Sequence, residues 1–154
     1  MKLIILAFAI GVVAGLRAAM PFAAISWAAR LGWLSLEGTP LAFLAAPIAS
    51  YITTAFALLE LVGDKLPATP SRKNAGGFIS RVVVGGSAGG ALAASVGSVW
   101  LGIVPGIVGA VAGTVGGAAC RAKLASACGR DPPAALIEDA IAIVASYLIV
   151  SHVR

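Results

Sequence analysis

Eight ionisable side chains, Arg17, Glu60, Asp64, Lys65, Arg81, Arg121, Glu138 and Asp139, stand inside or at the ends of long apolar runs. A charge in or near hydrocarbon is costly unless it is paired, hydrated or held at the interface, so such groups are rare and tend to mark function. Glu60 and Asp64 are four residues apart and share one helix face. Glu138 and Asp139 put two acids inside an otherwise apolar Ala-Leu-Ile and Ala-Ile-Ala-Ile stretch. Acids are too short to reach the headgroups easily. If buried, they must pair with Arg81, Arg121 or Lys65, or hold a proton or cation, which is how transport pathways are lined. Arg17, deeper and alone among small residues, can face an anionic group or pair with one of the acids. The plainer interfacial explanation is equally available: acids near the start of the last helix favour its dipole, and arginines extend to headgroups.

The elements that must position these groups are membrane-grade. Of 154 residues, 60% are hydrophobic and only 11% charged, with a mean hydropathy of +1.01. A soluble domain of this size needs a charged surface that this chain cannot supply. The length allows one domain, residues 1–154, and about 20 apolar residues per span limit it to five or six crossings. The net charge of +5 is scattered among apolar runs without an aromatic-interleaved patch, which argues against nucleic acid.

Apolar runs extend from about Leu3 to Ala29, interrupted by Arg17 and Pro21, then from about Leu41 to Gly63, Gly76 to Gly97, Val99 to Ala119 and Ala134 to Ser151. The expected fold is therefore an all-α membrane protein, a compact bundle of about five transmembrane helices, with the first helix open to a break near Pro21. Two polar connections, Asp64 to Asn74 and Arg121 to Pro133, carry most of the basic residues. The positive-inside rule puts both, with Lys2, on the cytoplasmic side, so five spans predict the N-terminus inside and the C-terminus outside. Trp27, Trp33 and Trp100 then fall at the outer interface, which their amphipathic rings favour. A secretory signal is the lesser reading of the first run, because apolar character resumes directly after Arg17. If the chain instead broke at residues 16–21 and the following segment turned back, the N-terminus would have to be outside.

Glycine is the next signal, with 19 in the chain. Gly85, Gly89, Ala93 and Gly97 recur at intervals of four, as do Gly109, Gly113 and Gly117, and Ala7, Gly11, Gly15 and Ala19. Such stripes let helix backbones approach closely where lipid offers no hydrophobic drive, so glycine-zipper packing is expected, and a homo-oligomer with it. Gly85-Gly86-Ser87-Ala88-Gly89 fits G-x-S-x-G but lacks the strand and the nearby histidine that a nucleophile elbow needs. Cys120 and Cys128 are too few for a metal framework. No catalytic, cofactor-binding or metal site is expected, and an intramembrane enzyme is the least supported class.

Gly15-Leu16-Arg17-Ala18-Ala19-Met20-Pro21, Glu60-Leu61-Val62-Gly63-Asp64-Lys65-Leu66-Pro67 with Thr69-Pro70-Ser71-Arg72, and Leu136-Ile137-Glu138-Asp139-Ala140-Ile141-Ala142 resemble a family of small bacterial membrane proteins known only as a domain of unknown function. The resemblance covers nearly the whole chain and implies a polytopic protein of the bacterial inner membrane. It carries no activity over.

Two function classes follow. In the first, the eight charges line a polar path or pocket of a small transporter or channel-like protein, and the positive balance points to an anionic solute or a lipid headgroup. In the second, the same charges are ion pairs that lock the helix ends of a non-transporting scaffold or assembly partner. Related halves, residues 1–67 and 76–152, would favour the first class.

Overall fold

The computed structural model describes residues 1–64, 74–94, 97–129 and 131–153, with Cys128 described by its backbone alone. The described residues are helical and contain no strand. Six α-helices follow in order: α1 (Lys2–Leu16), α2 (Met20–Arg30), α3 (Pro47–Gly63), α4 (Ala75–Ala94), α5 (Trp100–Cys128) and α6 (Asp131–Ser151), with a short 3-10 turn at Ala42–Ala45 before α3. Among the described residues, three stretches are long and apolar enough to cross a membrane, Ala75–Ala94, Trp100–Ala127 and Asp131–Ser151; α1 and α3 are apolar but shorter.

The first apolar run is two helices rather than one long span. The chain unwinds after Leu16, where Arg17 takes extended backbone angles (φ −139°, ψ 110°), and winds again with Pro21 in the first turn of α2. Proline belongs there, because its missing N–H would have had no partner in that turn. Direction also changes. Gly109 lies against Phe8 and Gly113 against Val12, so α1 runs parallel to α5. Trp27 bonds Thr54 and Ser26 bonds Ser50, while Glu60 reaches Ala18 and Ala19, so α2 runs antiparallel to α3. With α4 antiparallel to α5 through the pairs Gly85–Gly106 and Gly89–Gly102, the helices alternate along the chain. Lys2 consequently lies at the opposite end of the bundle from Asp64 and Arg121. The break left open near Pro21 is present, and Lys2 does not share an end with Asp64 and Arg121 as an unbroken first span would have it. Hydropathy cannot distinguish a tilted span from a hairpin whose turn is only Arg17, Ala18 and Ala19.

A second correction concerns α5, which continues through Arg121 and Lys123 to Cys128 instead of ending at Ala119. Ala122, Leu124, Ala125 and Ala127 are good helix formers, and the helix stops only at Gly129, whose φ of 67° is the left-handed stop that glycine accepts. At 1.5 Å per residue this helix is roughly 43 Å long, well beyond a hydrocarbon core of about 30 Å, so polarity near its end does not break it.

Packing is inverted relative to a water-soluble domain. Large apolar side chains such as Phe56, Leu59, Val83, Val104, Val108, Ile141 and Val144 face outward, while Arg17, Arg81, Glu138 and Asp139 are buried. The tightest contacts join α1, α4 and α5. There a Cβ added at Gly11, Gly102, Gly106, Gly109 or Gly113 would collide with the facing backbone. The other side of the bundle, formed by α2, α3 and α6 and capped by Leu34, Leu36 and Leu44, is filled by larger side chains such as Ile25 and Met20. The two three-helix halves do not pack alike: α1 lies along both α4 and α5, whereas α2 touches α4 only slightly. Related halves therefore find no support in the packing.

Candidate functional site

The break between α1 and α2 exposes backbone donors that a continuous helix would have satisfied. Glu60, in the last turn of α3, takes two of them: Ala18 N–H donates to Oε1 at 2.8 Å and Ala19 N–H to Oε2 at 2.7 Å. The N-cap position of α2 is Ala19, which has no side-chain acceptor, so the cap comes from a distant helix. A carboxylate there also complements the partial positive charge of the helix start. Arg81 of α4, 7% exposed, places Nη2 3.7 Å from Glu60 Oε1 and donates Nη1–H to Gly77 O at 3.1 Å.

Arg17 is fully buried and forms the centre of a second group. Its Nε–H donates to Asp139 Oδ1 at 2.7 Å, and its Nη2 stands 2.6 Å from the same oxygen. Nη1 is ion-paired with Asp64 Oδ2, and Glu138 Oε2 is 3.7 Å from Nη2. Arg121 joins from α5, with Nη1 3.5 Å from Glu138 Oε2 and 3.7 Å from Asp64 Oδ2. Asp64 and Glu138 are thus shared between two guanidinium groups. Arg121 also makes the fork-to-fork pair typical of arginine and carboxylate, with Asp131 at 2.9 Å from Nε and 2.6 Å from Nη2.

Seven of the eight predicted site residues therefore meet at one end of the bundle, drawn from α1, α3, α4, α5 and α6; Lys65 lies outside the described residues. Of the two roles open to Arg17, facing an anionic group or pairing with one of the acids, the structure has the pairing. Because α1 ends at Leu16 and runs toward the same end as α5, Arg17 reaches the acids directly. Asp131 was missed. It was read as part of a polar connection, and only the continuation of α5 into a short turn brings it opposite Arg121. Ser87 of the G-x-S-x-G match lies inside α4, with no strand or turn to present it.

Two apolar grooves end on this network. One of about 310 Å³ between α1, α5 and α6 is walled by Val12, Leu16, Leu124 and Ile141 and reaches Arg121 and Glu138. Another of about 360 Å³ between α2, α3 and α4 reaches Glu60 past Phe22 and Phe56.

The sequence matches the family described as "Domain of unknown function (DUF4126)" over residues 4–153. The chain belongs to that family. No curated protein and no solved structure matches it. The match spans the α1–α2 break and every residue of the network, so the family resemblance and the site cover the same part of the chain.

Proposed function

We propose that the protein is a small transporter-like protein of the bacterial inner membrane, with the charge network at the α1–α2 break as its polar site and an anionic solute or lipid headgroup as its ligand. The single observation that carries this reading is the interrupted helix itself. Transporters bind substrates and coupling ions where helices are discontinuous, because the unwound backbone and the helix ends then supply charge and hydrogen bonds inside the membrane. Here the interruption at Arg17–Ala19 coincides with carboxylates from α3 and α6. Asp64 and Glu138, each within reach of two arginines, give the network two pairings of the kind a transport cycle exchanges. The groove that ends on Arg121 and Glu138 supplies a lateral approach for an amphiphile.

The positive-inside rule puts the network on the cytoplasmic side, since Arg121 and Lys123 stand at that end of α5 and Lys65, Arg72 and Lys73 follow α3 in the sequence. With alternating helix directions, both termini are then outside. Cysteine placed singly at Lys2, Ser126 or His152 in a background without Cys120 and Cys128 tests this in intact cells. An impermeant thiol reagent should label positions 2 and 152 and spare 126. A homo-oligomer is part of the proposal, supported by the small interior that a bundle of 154 residues can enclose by itself.

A second reading is favoured by the mutual pairing of the charges and the complete burial of Arg17: the network is a structural latch in a membrane scaffold. Glu138→Gln separates the two. Proteoliposomes holding a pH-sensitive dye are challenged with phosphate, sulfate or short carboxylates, and a parallel set reads the flip of labelled phosphatidylglycerol. Flux in the wild type that is lost in an intact, correctly assembled variant supports transport. Absence of flux in both, with the variant losing assembly, supports the latch.

A further inference from the structure

A third groove, of about 380 Å³, lies away from the charge network, between α2, α3 and α6. It runs along the helices from Met20 and Leu61 at the charged end to Leu31, Trp33 and Val150 at the other. Three features at that far end differ from an ordinary lipid-facing surface. Trp33 and Tyr147 stack edge-on at 6.4 Å and frame the mouth. Arg30 packs on two rings, one of which, Trp27, lines the groove: its guanidinium carbon is 5.1 Å from the Trp27 centroid and 4.9 Å from that of Tyr51. Trp27 is itself fixed by its indole N–H, which donates to Thr54 Oγ1 at 2.9 Å. The third feature is Ser146, 3% exposed, which contributes to the groove wall and whose hydroxyl has no hydrogen-bond partner among the described residues. Serines in apolar helices ordinarily return their hydroxyl to a carbonyl one turn back, as Thr54 and Thr114 do here. A buried hydroxyl without a partner in an apolar groove points to a ligand that carries a hydrogen-bonding group at that depth.

We infer that this groove is a binding site for one phospholipid of the leaflet at the Trp33 end, with an acyl chain in the groove, its ester carbonyl accepting from the Ser146 hydroxyl and its phosphate against Arg30. The order of the parts matches a phospholipid read inward from its headgroup. Arg30 is the last residue of α2, Ser146 lies just over one turn before the end of α6, and the rest of the wall down to Met20 is apolar except for Thr54, whose hydroxyl is already taken by Ser50 O and the Trp27 indole. Charge complementarity selects an anionic headgroup, because the cation fixed against the groove residue Trp27 is an arginine. Arg30 is also pre-positioned by cation–π contacts, so little side-chain freedom is lost on binding. The site is independent of the transport reading.

The test uses full-length protein in vesicles of phosphatidylcholine carrying a small fraction of phosphatidylglycerol with a photoreactive group on one acyl chain. After irradiation, label should concentrate on the groove residues of α2, α3 and α6 and leave the outward valines Val104, Val108 and Val115 of α5 nearly unlabelled. Arg30→Gln, at an exposed position without risk to folding, should lower groove label about fivefold, the worth of one arginine at an anionic surface. Ala24→Phe, which fills the groove, should abolish the label, with a thermal midpoint close to wild type showing that the variant is folded. Label spread evenly over the groove and α5 overturns the site. Label concentrated in the groove but unchanged in Arg30→Gln overturns a phospholipid anchored by its phosphate, and a cross-linked dimer through this face in the same sample assigns the groove to a second copy of the chain.

Discussion

Two regions hold α1 in place, and they do so by opposite physics. Along its length α1 lies on α5 through Gly11, Gly109 and Gly113, where backbones touch and no charge is involved. At its end Arg17 is tied to Asp64 and Asp139, where backbones diverge and charge does everything. The glycine seam derives its strength from many small dispersion contacts that tolerate no added volume. The charged end derives its strength from a few pairs that tolerate no missing partner, since a buried charge left alone is far more costly than the pair is favourable. One region is therefore sensitive to what is added and the other to what is removed.

Removal should give the largest effect. Arg17→Gln leaves Asp64 and Asp139 without their central partner and should cost about 3–5 kcal/mol, read as a lowered thermal midpoint in detergent or loss of folded protein. Arg17→Gln combined with Asp139→Asn should recover a large part of that loss. A single variant as stable as the wild type would break the contrast.

Addition comes next. Gly113→Ala drives a methyl group into the Val12 backbone and should cost about 1–3 kcal/mol. Gly116→Ala, one turn along the same helix with open space around it, should instead gain about 0.5–1 kcal/mol from helix propensity. Equal behaviour at the two positions would remove the seam as a distinct region.

Glu60→Ala joins the two regions, because it strips the cap from α2 without adding volume. A lost cap costs about 1–2 kcal/mol, and Glu60→Gln, which keeps one acceptor oxygen, should cost less; the thermal midpoints of the two variants check the order. The smallest effect belongs to Asp131→Asn. Asp131 has a side-chain exposure of 55%, and exposed ion pairs contribute at most about 1 kcal/mol. A large loss there would mean that the network extends to the rim of the bundle.

Several parts of this arrangement were legible in the residues. Helices α3, α4 and α6 follow from apolar runs of spanning or near-spanning length, and their ends carry the acids and bases that later meet. The glycine interval in the third run, Gly85 and Gly89, marks the surface that α4 turns to α5, and that in the fourth run, Gly109 and Gly113, the surface that α5 turns to α1. What was not legible was the fate of the first run. Leu3 to Ala29 is apolar enough for one tilted helix, and Arg17 with Pro21 permits a bend of any angle. The choice is made by energies outside that segment: Glu60 must supply the two orphan N–H groups of α2, and Asp64 with Asp139 must neutralise Arg17. None of these three acids is within forty residues of the break. Asp131 was hidden for a related reason, since its partner is set by where α5 ends and not by its neighbours in sequence.

The sequence alone determined the class of environment and the identity of the charged groups, because hydropathy and charge are properties of composition that folding cannot alter. It also determined where backbones can approach, because only small residues permit it. Tertiary structure decided which charges pair, which way α1 and α2 run, and that Arg17 is central to the network. Those outcomes depend on satisfying backbone donors and charges across helices distant in the chain, and a buried guanidinium takes whichever carboxylates the packing brings to it.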